Sequence, residues 1–395
     1  MTSGSNAAAI LGLGTAQPDF IMSQEEAITL AQETICRDEV EKRLLRILYR
    51  KTGVKQRATC VPHQTALEWL NLPSAVGMQA GAIAPDDAEA QIDDETTTVA
   101  TAEKAAPVNL GPGTAARMEI YRATAPGLAV RSSTLALAEA GIDAKEITHL
   151  VTVSCTGFFA PGLDLALING LGLPLTVGRV FVGFMGCHGA INGLRTAQAI
   201  AAADPKNRVL LCAVELCSPH YAMQWDPNRA VGNAVFADGS AALVVTHQSA
   251  AKSDDGLKIA ATGSCYFPDS EDAMSWNIGD NGFDMYLSPR VPDLICANLR
   301  PWFESWLAEQ GLTIDQIGSW AVHPGGPRVV TAVEEALGLD KALTETSREV
   351  LSECGNMSSP TVLFILQRLR ARGAKMPCVA IGFGPGLAAE AALFR

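Results

Sequence analysis

The feature that most constrains this chain is a repeat of long period. The strand-like run His149–Ser154 leads into Cys155, and the strand-like run Ser319–His323 ends in HPGG. Gly186-Cys187 opens a helix-like run, and so does Gly355-Asn356. Each helix is followed by an apolar strand, Arg208–Val214 in the first case and Cys378–Gly382 in the second. The spacings agree: Cys155 to Cys187 is 32 residues, His323 to Asn356 is 33, Cys155 to His323 is 168 and Cys187 to Asn356 is 169. Self-similarity at a fixed long period indicates an internal duplication; chance spacing in an α/β chain is the competing reading. A duplication would pack two halves about a pseudo-twofold axis, so that equivalent loops meet. Those loops carry Cys155, Cys187, His323 and Asn356.

The rest of the chain fits an α/β protein. Beyond about residue 149, short β-rich runs (His149–Ser154, Arg179–Phe184, Arg208–Val214, Ala241–Thr246) alternate with helical periodicity such as Ala190–Ala203. This alternation predicts helices covering a largely buried sheet. Ahead of it, Ser23 is placed to cap helices over residues 20–50, and helical pattern resumes at about Met118–Ala140. Residues 78–109 differ: they are Ala-rich and hold seven acids (Asp86, Asp87, Glu89, Asp93, Asp94, Glu95, Glu103) against Lys104 alone. That composition reads as a solvated insertion. At roughly 150 residues per domain, 395 residues allow two to three domains or one two-lobed unit.

Composition excludes several function classes. The chain has 30 Lys+Arg against 42 Asp+Glu, a net charge of −12, which argues against a general nucleic-acid binder. Ten cysteines occur without a CxxC pair, which excludes the common zinc ribbons and a thioredoxin-type motif. The N-terminal residues carry no basic and apolar signal pattern, and no run of about 18 apolar residues occurs. A soluble cytoplasmic protein with reduced thiols and no membrane contact is expected.

Cys187 lies in GFMGCHGA, a strand, a small-residue turn and a helix start. A helix N-terminus favours thiolate, and Gly186 and Gly189 let backbone N–H groups approach the sulfur. His188 is adjacent, and neighbours at a helix start point apart, so it is not expected to be the base. His323 ends an apolar strand and is followed by Pro324, Gly325 and Gly326, a constrained turn. Asn356 opens a helix, where a plain N-cap is the alternative. Together a Cys, a His and an Asn place two donors around a nucleophile, suited to holding a thioester enolate. Gly12-Leu-Gly14-Thr-Ala-Gln17 lacks the third glycine of a dinucleotide fingerprint and reads as a tight turn. Gly382-Phe-Gly-Pro-Gly386 has no Walker lysine after it and reads as a loop against the catalytic cavity.

These motifs resemble the type III polyketide synthases, the chalcone synthase family and its bacterial members. The resemblance rests on GCHGA around Cys187, VGNAVFADGSAAL at 231–243, HPGGP at 323–327, GNMSS at 355–359 and GFGPGL at 382–387, and it spans about Ile10 to Phe394 apart from the acidic stretch. It implies a thiolase-like αβαβα layered fold with two pseudo-symmetric halves, residues 1–248 carrying the nucleophile and 249–395 carrying the His and Asn. It implies a homodimer and an acyltransferase. A starter acyl-CoA loads on Cys187, malonyl-CoA loses CO2 with His323 and Asn356 holding the enolate, and the extended chain cyclises to a pyrone, resorcinol or chalcone-type product. Neither an acyl carrier protein nor a metal or redox cofactor is required by the resemblance.

The resemblance also assigns substrate contacts. Phe236, Cys155, Thr156, Cys217 and Ser358 match cavity-wall positions, and Gly384 falls in the GFGPGL loop. Met285 falls at the position of a second wall phenylalanine, with Phe283 two residues earlier. Of three basic tunnel positions, Lys51 matches, while the other two fall at Leu44 and Ile47. Arg46 and Arg50, with Arg43, are near enough to substitute, and Arg328 is a further candidate for the CoA phosphates. A β-ketoacyl synthase III-like condensing enzyme shares the Cys, His and Asn, but HPGGP and GFGPG argue against it. A catalytically silent scaffold is a remote alternative.

Overall fold

The computed structural model describes residues 8–69, 110–250 and 256–395. The acidic stretch predicted at 78–109 lies outside the described residues. The strands are β1 (Ala8–Ala16), β2 (Ile21–Ser23), β3 (Gln56–Ala58), β4 (His149–Ser154), β5 (Gly178–Gly183), β6 (Arg208–Leu216), β7 (Asp238–His247), β8 (Leu257–Tyr266), β9 (Met274–Gly279), β10 (Gly282–Leu287), β11 (Ser319–Val322), β12 (Cys378–Gly384) and β13 (Ala388–Phe394). The helices are α1 (Gln24–Thr34), α2 (Glu39–Lys51), α3 (His63–Glu68), α4 (Thr114–Ala140), α5 (Leu163–Leu171), α6 (Gly189–Ala203), α7 (Pro227–Val235), α8 (Val291–Glu309), α9 (Pro327–Leu337), α10 (Glu345–Cys354) and α11 (Thr361–Ala371).

Local chemistry sets the element ends. Ser23 caps α1 in a reciprocal box with Glu26, and Asp38 caps α2 by accepting from the Glu41 N–H at 2.9 Å. Asp226 does the same for α7, where Pro227 needs no amide partner.

Nine strands form one sheet in the order β5-β4-β6-β7-β1-β8-β13-β12-β11. In the first half β4 runs parallel to β5 and β6, and β7 is antiparallel to β6. In the second half β11 runs parallel to β12, and β13 is antiparallel to β12. Counted within its half, β5-β4-β6-β7-β1 reads 3-2-4-5-1, and β11-β12-β13-β8 repeats that order without the outer strand. The halves join through a short antiparallel pairing of Ala8–Ile10 with Leu257–Ile259. One strand order used twice is what a duplicated half produces.

Five layers result, α-β-α-β-α. Helices α4 and α5 cover the outside of the first half, and α8 and α9 cover the second. Helices α6 and α11 lie between and touch strands of both halves. A helix between two apolar layers cannot be amphipathic, which explains the run Val362, Leu363, Phe364, Ile365, Leu366 at the start of α11. No helix among the described residues is long and apolar enough to cross a membrane.

One sequence expectation is corrected. Gly12 and Gly14 do not form a turn; they lie inside β1, which pairs with β7 and β8. A Cβ at either would strike the α4 backbone at Ala136 or Ser132. The glycines let α4 rest directly on the sheet, a close-packing role that a turn-forming pattern does not distinguish.

Trp320 is fully buried in the second outer layer, 5.4 Å from the Phe303 ring. Trp320→Ala is expected to lower the unfolding free energy by about 3–5 kcal/mol in a urea titration, because the cavity cannot collapse between sheet and helix. A loss under about 1 kcal/mol would contradict this packing.

Candidate active site

Cys187 sits in a single 3-10 turn, Gly186–His188, that runs straight into α6. Gly186 adopts φ +70°, and a Cβ there would press on the Pro385 ring. The turn therefore docks on the loop after β12, which ties the nucleophile to the second half. His323 follows β11 directly, its N–H donating to the Ile381 carbonyl at 2.8 Å. Asn356 lies between α10 and α11, and a bridge to Phe236 joins it to the first half: its N–H donates to Val235 O, and Ala237 N–H donates to Asn356 O, each at 2.9 Å.

These three residues line one cavity of about 590 Å³. The Asn356 amide is oriented, because its Oδ1 accepts from the Ser358 N–H at 2.8 Å. Its NH2 group is thereby left to face Gly325 O at 3.5 Å and the Cys187 sulfur. Ser358 adopts φ +56°, a conformation rare for a residue with a side chain. That backbone places its hydroxyl 3.6 Å from the Cys187 sulfur and 3.3 Å from the Cys155 sulfur.

Burial works against the thiolate that the helix start favours. Burial pushes the Cys187 thiol up to about 11, against hydrogen bonds from Ser358 and Asn356 that pull it down. Burial, with the neighbouring His188, pulls the His323 imidazole down to about 3. Desolvation thus favours the neutral thiol and the neutral imidazole, in opposition to the helix start, which favours thiolate. Neither ring nitrogen of His323 has a hydrogen-bond partner among the described residues, although both are buried. A neutral imidazole in that position can accept the thiol proton at one nitrogen and donate from the other.

Of the other predicted positions, Cys155, Thr156, Cys217, Phe236, Met285 and Ser358 line the cavity. Phe283 lines it as well, one step along the same face of β10 as Met285. Lys51 and Arg328 reach it from exposed positions. Three positions do not. Gly384 stands behind the nucleophile turn, where a Cβ would overlap the His188 imidazole; its role is to make room for that ring. Arg50 pairs with Glu25 at 3.2 Å, and Arg46 is exposed on α2 away from the lining. His188 is buried, hydrogen-bonded to Asn192 at 2.8 Å, and outside the cavity.

Sequence reasoning missed three supporting residues. Glu215, at the end of β6, is fully buried and accepts from Cys155 N–H (2.9 Å), Thr156 N–H (3.0 Å), Thr156 Oγ1 (2.6 Å), Ser154 Oγ (3.2 Å) and Ser359 Oγ (2.7 Å). Its pKa is raised by burial and held back by those donors. From the other side, Trp276 donates to Cys155 O and His220 Nε2 donates to Thr156 O, each at 2.6 Å. His220 also stacks on Phe283 with ring centroids 4.2 Å apart. A single charge at the end of an apolar strand was the signal for Glu215; nothing local marks Trp276 or His220.

Comparisons with known proteins agree with this site. Residues 99–249 match the N-terminal domain, and residues 258–395 the C-terminal domain, of the chalcone and stilbene synthases. The chain is 37% identical over 284 residues to the alpha-pyrone synthesis polyketide synthase-like Pks18 of Mycobacterium tuberculosis, covering 70% of this chain and 72% of that protein. It is 37% identical over 277 residues to the 1,3,6,8-tetrahydroxynaphthalene synthase of Streptomyces peucetius, covering 68% and 73%. The structure of PKS-I from the brown alga Ectocarpus siliculosus superposes with a TM-score of 0.84 at 30% identity over 98% of both chains. The C-terminal type III domain of Steely1, a type I/III hybrid from Dictyostelium, shares the fold with a TM-score of 0.82 at 23% identity.

With a thiol at about 11, the thiolate fraction grows about tenfold per pH unit until that value is reached. Inactivation by iodoacetamide, without acyl-CoA, is expected to accelerate nearly tenfold per unit between about pH 7 and pH 9. A rate already level below about pH 7 would instead reveal a thiolate–imidazolium pair. Sequence, thiolase-like fold and converging cysteine, histidine and asparagine lead to one assignment: the chain belongs to the chalcone and stilbene synthase family and is a type III polyketide synthase, an acyltransferase.

Proposed function

We propose that the enzyme loads a starter acyl-CoA on Cys187, extends it with malonyl-CoA, and closes the chain into a pyrone, resorcinol or chalcone-type ring. The observation that carries this reading is the convergence on one cavity of the Cys187 thiol, the Asn356 amide and the His323 ring, whose nitrogens have no hydrogen-bond partner among the described residues. In loading, His323 takes the thiol proton as sulfur attacks the starter carbonyl, and the proton leaves with the CoA thiol. In extension, the bond to the malonyl carboxylate breaks and CO2 departs. The bonding pair becomes an enolate whose oxygen accepts hydrogen bonds from His323 and Asn356. The enolate carbon attacks the Cys187 thioester, and the sulfur is released for reloading. This sequence is redox-neutral and driven by decarboxylation, which supports a reaction without metal or redox cofactor.

Lys51 and Arg328, at the exposed end of the cavity, are proposed to hold the CoA phosphates. Arg229 also lines the cavity and is paired with Asp284 at 3.3 Å. Strand β5 is at the edge of the sheet and exposes Val180 and Phe181, with Phe158 exposed nearby in sequence after β4. An apolar open edge supports a homodimer formed there. A nucleophile that oxidation would block supports a reducing compartment, the cytoplasm.

Decarboxylation separates the roles. Asn356→Ala and His323→Ala are expected to lower malonyl-CoA decarboxylation by about 10²–10³-fold, the cost of losing a preorganised donor, read as 14CO2 release. Cys187→Ala is expected to keep decarboxylation while forming no extended product. Normal decarboxylation by Asn356→Ala would remove the enolate role.

A further inference from the structure

The hairpin β9–β10 stands apart from the nine-stranded sheet. Among the described residues its strands pair only with each other, from Met274 with Leu287 to Gly279 with Gly282. It brings Trp276, Phe283 and Met285 to the cavity lining. A two-stranded hairpin is marginally stable alone, so its place depends on what holds it. On the cavity side, Trp276 donates to Cys155 O at 2.6 Å, and the Phe283 N–H donates to His220 Nδ1 at 3.0 Å. Outside the cavity, the start of α4 holds the hairpin by its turn. Thr114, the first residue of that helix, donates its N–H to Asp280 O at 2.8 Å. This is one of the N–H groups that a helix start leaves without an internal partner. The Thr114 Oγ1 accepts from the Gly282 N–H at 2.9 Å and donates to Gly279 O. One turn further on, Arg117 is 1% exposed. A Cβ added at Gly282, where φ is +106°, would stand 3.0 Å from the Arg117 Cδ, so this side chain lies against the hairpin turn. Its guanidinium donates to Leu110 O (3.1 Å), Pro112 O (2.8 Å), Pro219 O (2.6 Å) and Tyr221 O (2.9 Å). The last two flank His220, on which Phe283 stacks. Arg117 thus braces both the hairpin turn and the wall residue on which the hairpin rests. Neither Thr114 nor Arg117 lines the cavity.

We propose that Thr114 and Arg117 are positioning residues that set how many malonyl units the chain receives. This role rests on the loading and extension steps given above. The chain grows on Cys187 inside the cavity, so the gap between the hairpin and the Cys155–Thr156 wall bounds its length. Contacts on the cavity side fix where the hairpin touches that wall, and the start of α4 fixes how far its turn can swing away. Losing the Thr114 hydroxyl takes a partner from the Gly282 N–H and from the Gly279 carbonyl, and hairpin positions further from the wall become populated. A wider gap admits a longer chain before release. Arg117 acts through four carbonyls in different directions, which a planar fork of N–H donors meets and a lysine ammonium does not.

The test reads product length and loading separately. Wild type and variants receive malonyl-CoA and the wild type's best starter from acetyl-, hexanoyl-, decanoyl- and benzoyl-CoA, and products are quantified by mass spectrometry. In Thr114→Val, the share of product carrying more malonyl units than the wild type's main product is expected to rise at least about threefold. Thr114→Ser keeps the hydroxyl and is expected to keep the wild-type distribution. Arg117→Lys is expected to shift the distribution in the same direction as Thr114→Val. Acylation of Cys187 by the starter, followed by intact-protein mass spectrometry, is expected to stay within about twofold in all three, since neither residue touches the cavity. Unchanged loading also reports that the variants fold. A wild-type distribution in Thr114→Val overturns the proposal even if its Tm falls, because the contact is then a structural support alone. An equal shift in Thr114→Ser and Thr114→Val overturns it too, as does a shift toward shorter products. A collapse of loading in both Thr114→Val and Arg117→Lys would make the start of α4 a support of the whole site and would likewise overturn it. If no starter of the set acylates wild-type Cys187, the synthase mechanism falls, and the positioning role falls with it.

Discussion

The site depends on one buried carboxylate. Glu215 is fully buried and collects five hydrogen bonds, four from the Ser154–Thr156 segment of the first half and one from Ser359 of the second. Taking a carboxylate out of water costs several kcal/mol, and only near-complete hydrogen bonding offsets it. Each bond to a charged group contributes about 1.5–3 kcal/mol, so the donors are not interchangeable with bulk solvent. The consequence is geometric. Ser359 is next to Ser358, and Cys155 begins the opposing wall, so one carboxylate fixes the spacing of both sides of the nucleophile.

The same burial sets the electrostatics. Glu215 pushes the nearby thiols up, and desolvation does so more strongly at Cys187, Cys155 and Cys217. Three thiols close together would be an oxidation hazard if any were thiolate at rest. Burial favours a protonated Cys187 and a neutral His323, so the loading step proposed above includes its own proton transfer. A neutral imidazole still carries one N–H that can donate to an enolate oxygen.

Much of this was legible in the sequence. The duplicated spacing foresaw that Cys187, His323 and Asn356 would share a cavity, because equivalent loops of a pseudo-twofold pair must meet. Strands β4, β6 and β12 and helix α6 were visible from apolar runs and periodicity. What failed has physical causes. Glycines that permit a helix to rest on a strand look like glycines that permit a turn, so β1 was misread. Contacts from the β9–β10 hairpin, such as Trp276 on the Cys155 carbonyl, join segments 121 residues apart and leave no local pattern. Gly384 belongs to a motif yet serves a neighbouring ring rather than the cavity. The helix-start rule for thiolate held no information about how deeply the sulfur is buried.

The central claim is that Cys187, and neither of the two thiols beside it, carries the growing chain. Intact-protein and peptide mass spectrometry after a short incubation with an acyl-CoA reads this directly. One acyl adduct on the Cys187 peptide, absent from Cys187→Ala, is the predicted result. An adduct that persists in Cys187→Ala, on Cys155 or Cys217, would contradict the account.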